Sequence, residues 1–238
     1  MPSKSVSMHE AHLGHAFFWP FKWLAKLIMV VGGLALLVMT LFLMSSSLLW
    51  EGQAESFAAH IFRQAIESTY SGADPSLTTA LAQLIVRGLY WLFFEFTMLH
   101  QALERFADPT PVNMLDTMWR NAVIVPYQSD IRVAMWAIQV FGVRLAVILS
   151  VVPLLGITYA VAFSDGVCER YIRRACAGRE SSGLYHRAKY LQLTAGAFCA
   201  LLYLCAPWVI NPIYTLLPFV MLVGLFARLQ WKYYKKYL

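Results

Sequence analysis

Charge is what this sequence has least of. Asp, Glu, Lys and Arg make up 13% of it and hydrophobic residues 59%, whereas about a quarter of a water-soluble domain is charged. That shortage argues against a soluble globular fold and for a chain solvated by lipid. Other absences narrow the chemistry. There are only four cysteines, Cys168, Cys176, Cys199 and Cys205, with no CxxC or other zinc-ligand spacing. Cys199 and Cys205 fall inside an apolar run, where a thiol serves as a small hydrophobe. No Asp, Glu or His interrupts the long apolar runs, so a proton relay or ionisable ion path has little to stand on. No GxxxxGK[ST] occurs, so the chain is not its own motor.

What is present is a set of apolar runs with basic flanks. Leu27 to Trp50 carries no charge and, as a helix, is long enough to cross the roughly 30 Å hydrocarbon core. Lys22, Lys26 and the aromatics Phe17, Phe18, Trp19, Phe21 and Trp23 precede it, as a membrane-water boundary favours. The run is too long for a cleaved signal and reads as a retained anchor. A second run, Leu145 to Ser164, opens at Arg144 and contains Pro153 and Gly156, which predict a kink. Leu191 to Ile210 and Ile213 to Ala227 follow, with Asn211 and Pro212 as the turn of an antiparallel hairpin. Gly196, Ala197 and Ala200 give the third run a small-residue face for close helix packing.

The net charge of +6 lies beside these runs rather than along one basic face, so sequence-specific nucleic-acid binding is not expected. Lys4, Lys22 and Lys26 precede the first run. Arg170, Arg173, Arg174, Arg179, Arg187 and Lys189 separate the second from the third, and Arg228, Lys232, Lys235 and Lys236 follow the fourth. Four spans place all three groups on the cytoplasmic side. Glu51 to Asp130 has no lysine and more acids than arginines, so it belongs on the far side. There Phe57, Ala58, Ile61, Phe62, Ala65 and Ile66 recur at helical spacing, opposite Glu55, Arg63 and Glu67. SGADPS breaks the pattern, and Ser76 caps a second helix running to about Phe106. Its apolar stretch from Leu89 to Leu99 is a candidate fifth span. Arg87 and Glu95 divide that helix, however, and a further crossing would place the basic C-terminal tail outside.

The expected architecture is all-α: a multi-pass helical membrane protein with four transmembrane helices and a small helical periplasmic domain. Residues 1–26 form a cytoplasmic tail, 27–50 the first span and 51–130 the periplasmic domain. Residues 131–164 form an amphipathic lead-in and the second span, and 165–190 a cytoplasmic elbow. Residues 191–227 form the hairpin and 228–238 a basic tail.

Candidate chemistry is sparse. His9, His12 and His15 could align imidazoles on one helical face for Zn²⁺ or Ni²⁺, but a His-rich tail accounts for them and no metal is expected. Arg144, at a span boundary, is expected to snorkel to headgroups. Between the second and third runs lies GRESSGLYHRAK, Gly178 to Lys189. Ser181, Ser182, His186 and Glu180 supply hydroxyl, imidazole and carboxylate, yet there is no GxSxG and no framework for a triad. No enzyme activity and no cofactor are expected. Gly178 suits a helix end. Arg179, Glu180, Ser181, Ser182, Tyr185, His186 and Lys189 are then candidates for docking a partner; the alternative is that they only brace the elbow.

FSDGVCERYIRRACAGRESSGLYHRAK, the apolar hairpin after it, the ending YKKYL and the passage LLWEGQAESFAAH resemble the integrating-conjugative-element inner-membrane protein family. Its members are encoded near the type IV coupling ATPase, and the family has no assigned catalytic residues. The resemblance implies a bacterial inner-membrane protein, a scaffold or adaptor in or beside the type IV secretion and coupling apparatus. Its partners would be membrane lipid and conjugation or coupling-apparatus proteins, with an oligomer allowed. The alternative is a small transport or channel-forming membrane protein.

The charge asymmetry yields a test. Reporter fusions after Asp108 should be active in the periplasm and those after Leu238 inactive there. Periplasmic activity after Leu238 would replace the four-span topology with one that includes Leu89 to Leu99.

Overall fold

The computed structural model describes residues 6–49, 53–69, 77–107, 114–176 and 182–234, and helix is the only regular secondary structure among them. The chain divides into two compact units, Met1–Leu37 and Val38–Leu238. The first is the leading part of α1 (Val6–Leu49). Its described side chains from Lys22 to Val30 are exposed, with the Lys26 ammonium 5.7 Å from the centre of the Trp23 ring. The side chains of His9, His12 and His15 lie outside the described part.

In the second unit, the end of α1 is followed by α2 (Ala54–Thr69) and α3 (Leu77–Tyr90). Next come the short α4 (Leu99–Ala107) and α5 (Met114–Trp119), then α6 (Val125–Ala175), α7 (Ser182–Cys205) and α8 (Pro212–Lys232). The periodicity expected in α2 is the one it buries: Ala58 and Ile61 are inside, and Phe62 meets Trp136 of α6 at 5.2 Å between ring centres. The polar face contributes Glu55, 3.1 Å from Arg132. Helix α3 packs on α6, with Val86 against Gly142.

The helix expected from Ser76 to Phe106 is not one piece. After Tyr90 it widens into a π-helical turn, Trp91–Glu95, and Met98 then takes a left-handed conformation (φ 58°) before α4 begins. A non-glycine residue adopts that conformation only when its surroundings hold it there. Here Tyr90 Oη lies 2.9 Å from His100 Nδ1, and His100 Nε2 3.2 Å from Glu104, closing the bend from both sides.

Helix α6 is the axis of the fold. At 1.5 Å per residue, its 51 residues extend about 76 Å. Pro153 removes one backbone donor, but neither it nor Gly156 interrupts the helix. Helices α2 and α3 pack on its N-terminal half; α8 packs on its C-terminal half and carries α7. Asn211 starts α8 as a side-chain cap, accepting from the Ile213 N–H at 3.0 Å, and Pro212 occupies the first turn, where no donor is lost. Among the described residues, five helical stretches are long and apolar enough to cross a membrane: Lys22–Leu49, Leu77–Glu95, Val125–Ala175, Gly183–Cys205 and Pro212–Lys232.

Glycines set the closest approaches. A Cβ on Gly166 would lie 2.7 Å from the Arg228 carbonyl and 2.9 Å from Trp231 Cβ; one on Gly224 would lie 2.8 Å from Thr158 Cγ2. At Gly196 the nearest atom would be Phe219 Cε2 at 3.4 Å, so part of the expected small-residue face meets α8. Gly156 has nothing within 4 Å. Gly166→Ala should therefore destabilise the protein by about 1–3 kcal/mol, because backbone cannot step aside. Gly156→Ala should leave stability unchanged or slightly raised through helix propensity. Equal unfolding temperatures for both variants in detergent would contradict this contact.

Candidate functional site

Two concentrations of polar chemistry stand out on an otherwise apolar scaffold. The first is Arg144, only 2% exposed. It was expected to reach outward to headgroups; instead it points into the chain. Helix α7 ends at Cys205, and the last carbonyls of any helix lack intrahelical donors. Arg144 donates chiefly to the carbonyls of the turn that follows it. Nη1 donates to the Ala206 carbonyl at 2.5 Å, with Leu204 O farther away at 3.5 Å, and Nη2 donates to the Trp208 carbonyl at 2.6 Å. The Tyr203 ring centre lies 5.7 Å from the guanidinium carbon. The negative end of the α7 dipole offsets the buried charge. Arg144 also borders a 250 Å³ cavity with Gln64, Glu67 and Asn211.

The second concentration lies at the far end of α6. Asp165 and Glu169, one turn apart, face Arg228 and Lys232, one turn apart on α8. Arg228 Nε is 2.6 Å from Asp165 Oδ2, Arg228 also pairs with Glu169, and Lys232 Nζ is 2.6 Å from Glu169 Oε2. The Lys232 and Arg228 cations hold the Glu169 carboxyl below the usual carboxylate range. Arg173 donates to the Lys232 carbonyl at 2.5 Å and lies 4.2 Å from the Tyr233 ring centre; Arg170 lies 5.3 Å from that of Tyr234. Single exposed ion pairs are worth under about 1 kcal/mol, so the network orients α8 more than it stabilises it. This network escaped the sequence reading. Its signal was the matching i,i+4 spacing of opposite charges just beyond two apolar runs.

The elbow adjoins this network. Residues 177–181, and with them Gly178, Arg179, Glu180 and Ser181, lie outside the described residues. Helix α6 ends one turn earlier, at Ala175, and Ser182 opens α7. Tyr185 is half-buried, its ring 5.5 Å from that of Tyr234 and 5.1 Å from that of His186. His186 and Lys189 are exposed. The structure thus gives Tyr185 a contact within the chain and leaves His186 and Lys189 on the surface.

Elsewhere, polar groups in the apolar helices are satisfied locally. Ser45, Ser46 and Ser47 donate to the carbonyls three residues back, at 2.7–2.9 Å, and Ser150, Ser164 and Thr194 do likewise three or four back. No group of His, Cys, Asp and Glu arranged for a metal occurs among the described residues. The four cysteines are free thiols, Cys168 and Cys176 exposed, Cys199 and Cys205 half-buried.

These features define a class: an all-helical protein, several of whose helices suit a bilayer, with charge gathered at helix ends. Residues 60–235 match the DtrJ-like family, described as IncC plasmid conjugative DNA transfer protein DtrJ-like, and the chain belongs to that family. It is therefore a protein of conjugative DNA transfer, in agreement with the resemblance to conjugative-element proteins. No curated protein and no solved structure matches the chain.

Arg144 is testable directly. Arg144→Met should destabilise the protein by about 1–3 kcal/mol for each carbonyl it orphans. Arg144→Lys, a single point charge, should recover only part of this. Unaltered thermal unfolding of Arg144→Met in detergent would show that the carbonyls find other donors.

Proposed function

We propose that the chain is a non-enzymatic inner-membrane scaffold or adaptor in or beside the type IV secretion and coupling apparatus. In this reading four spans cross the bilayer: α1, the Leu145 to Ser164 portion of α6, α7 and α8. Both termini are cytoplasmic. The α2 to α5 region, with the first part of α6, forms the periplasmic domain. The observation that carries the reading is α6 itself. Its length of about 76 Å is more than twice the roughly 30 Å hydrocarbon core. One rigid element thus bears a helical domain at one end and a charged surface at the other.

The fifth apolar stretch, Leu77–Glu95, packs on α6 at the level of Gly142, on the N-terminal side of Leu145. This supports leaving it in the domain. A transport or channel function finds less support: the Ser45, Ser150 and Thr194 hydroxyls bond to their own helices, and Arg144 is engaged by carbonyls. A polar path needs side chains free to meet an ion.

Docking is assigned to residues 179–182 with Tyr185, His186 and Lys189, where charged, hydroxyl and imidazole groups orient a cytoplasmic conjugation protein. Tyr185 braces this surface through Tyr234. Glu180→Ala combined with His186→Ala should lower DNA transfer at least tenfold and reduce recovery of the partner, while membrane levels of the protein stay constant. Tyr185→Ala should lower stability as well as transfer. If transfer falls only in proportion to protein level in the double variant, the elbow is structural and the docking assignment fails.

A further inference from the structure

Helix α8 packs along both α6 and α7, but α6 and α7 touch each other little. Between them a cleft of 790 Å³ opens over α8, within the range of about 300–1,000 Å³ typical of ligand sites. Its floor is Phe219 and its walls include Leu193 and Gly156; Lys189, Tyr159 and Gln230 stand at one end. That polar end adjoins the charged network, since Tyr159 accepts a hydrogen bond from Trp231 Nε1 at 3.0 Å. At the apolar end Gly196 lies over Phe219.

We propose that this cleft holds one anionic phospholipid, with an acyl chain between α6 and α7 and the phosphate on Lys189. Length decides the occupant. From Lys189 to Ala197 α7 advances about 12 Å, and from Phe219 to Gln230 α8 advances about 16 Å. Either is close to half of the roughly 30 Å core, the depth of one leaflet. A transmembrane helix of a second copy would find support over only half its length, whereas an acyl chain is matched along all of it. Width agrees. Gly156 has no atom within 4 Å that needs its missing side chain, so the space it leaves opens into the cleft rather than serving a helix contact. Charge agrees too. Lys189 is exposed and forms no ion pair among the described residues, while the nearby acids Asp165 and Glu169 are held by Arg228 and Lys232. A lysine at the membrane surface adds about 1 kcal/mol towards anionic lipid, roughly fivefold in affinity. The amide of Gln230 can donate to the same headgroup.

The inference rests on the reading that α6, α7 and α8 cross the bilayer; it does not need the docking role. The full chain, washed in mild detergent, is titrated with phosphatidylglycerol or with phosphatidylcholine of the same acyl chains and read by native mass spectrometry. One phosphatidylglycerol should be retained in preference to phosphatidylcholine. Lys189→Gln, a surface change, should weaken phosphatidylglycerol retention about fivefold and leave phosphatidylcholine unaffected. Gly156→Leu should block retention of either lipid at an unchanged unfolding temperature. Equal retention of both lipids with no response to Lys189→Gln would reduce the cleft to ordinary boundary lipid and overturn the proposal. So would a Leu193→Cys disulfide dimer whose formation phosphatidylglycerol does not suppress, since a second copy would then occupy the cleft. Release of the protein from membranes by alkaline carbonate would overturn the spanning reading and this one together.

Discussion

Arg144 stands where α6 changes neighbours. On its N-terminal side α6 is covered by α2 and α3, and on its C-terminal side by α8, which carries α7. Of the six residues joining α7 to α8, Ala206 and Trp208 turn their carbonyls inward at this level, a poor arrangement unless something donates to them. A guanidinium is suited to the task because its donors are fixed in one plane and reach two carbonyls at once. That one side chain joins the turn after α7 to α6 and, with Asn211 at the start of α8, lines the 250 Å³ cavity.

Elsewhere the packing relies on small residues rather than on polar contacts. Gly142 admits α3, Gly166 admits α8, and Gly224 on α8 admits Thr158 of α6, each at distances that exclude a methyl group. For helices that cross a bilayer such close packing is a principal means of association, since apolar side chains gain little by exchanging a lipid neighbour for a protein one. The ionic network at the Asp165 end adds direction, fixing which face of α8 meets α6.

The parts legible in the sequence were those whose cause is local. The stripe from Phe57 to Ile66 declares a helix and its buried face, and the pair Asn211 and Pro212 declares a turn between two apolar runs, which the structure places at the start of α8. What escaped depends on distant partners. Arg144 reads as an interfacial arginine because the carbonyls it meets lie some sixty residues onward. Gly166 and Gly156 are alike as letters in an apolar helix, yet one touches backbone and the other nothing. Met98 offers no sequence sign of its left-handed backbone, which the contacts of Tyr90, His100 and Glu104 explain only once the fold is known. Of the elbow, Tyr185 could be singled out as an aromatic but not paired with Tyr234.

The continuity of α6 has a mechanical consequence. A helix transmits torque as well as position, because each turn is tied to the next by hydrogen bonds that resist unwinding. No loop intervenes between Val125 and Ala175 to absorb rotation, and Pro153 is the only place where the ladder lacks a rung. A twist imposed at Asp165 and Glu169 would therefore turn the residues facing α2 and α3 through a related angle. The guanidinium of Arg144 would act as the stop, since its two short bonds permit little rotation before one must break.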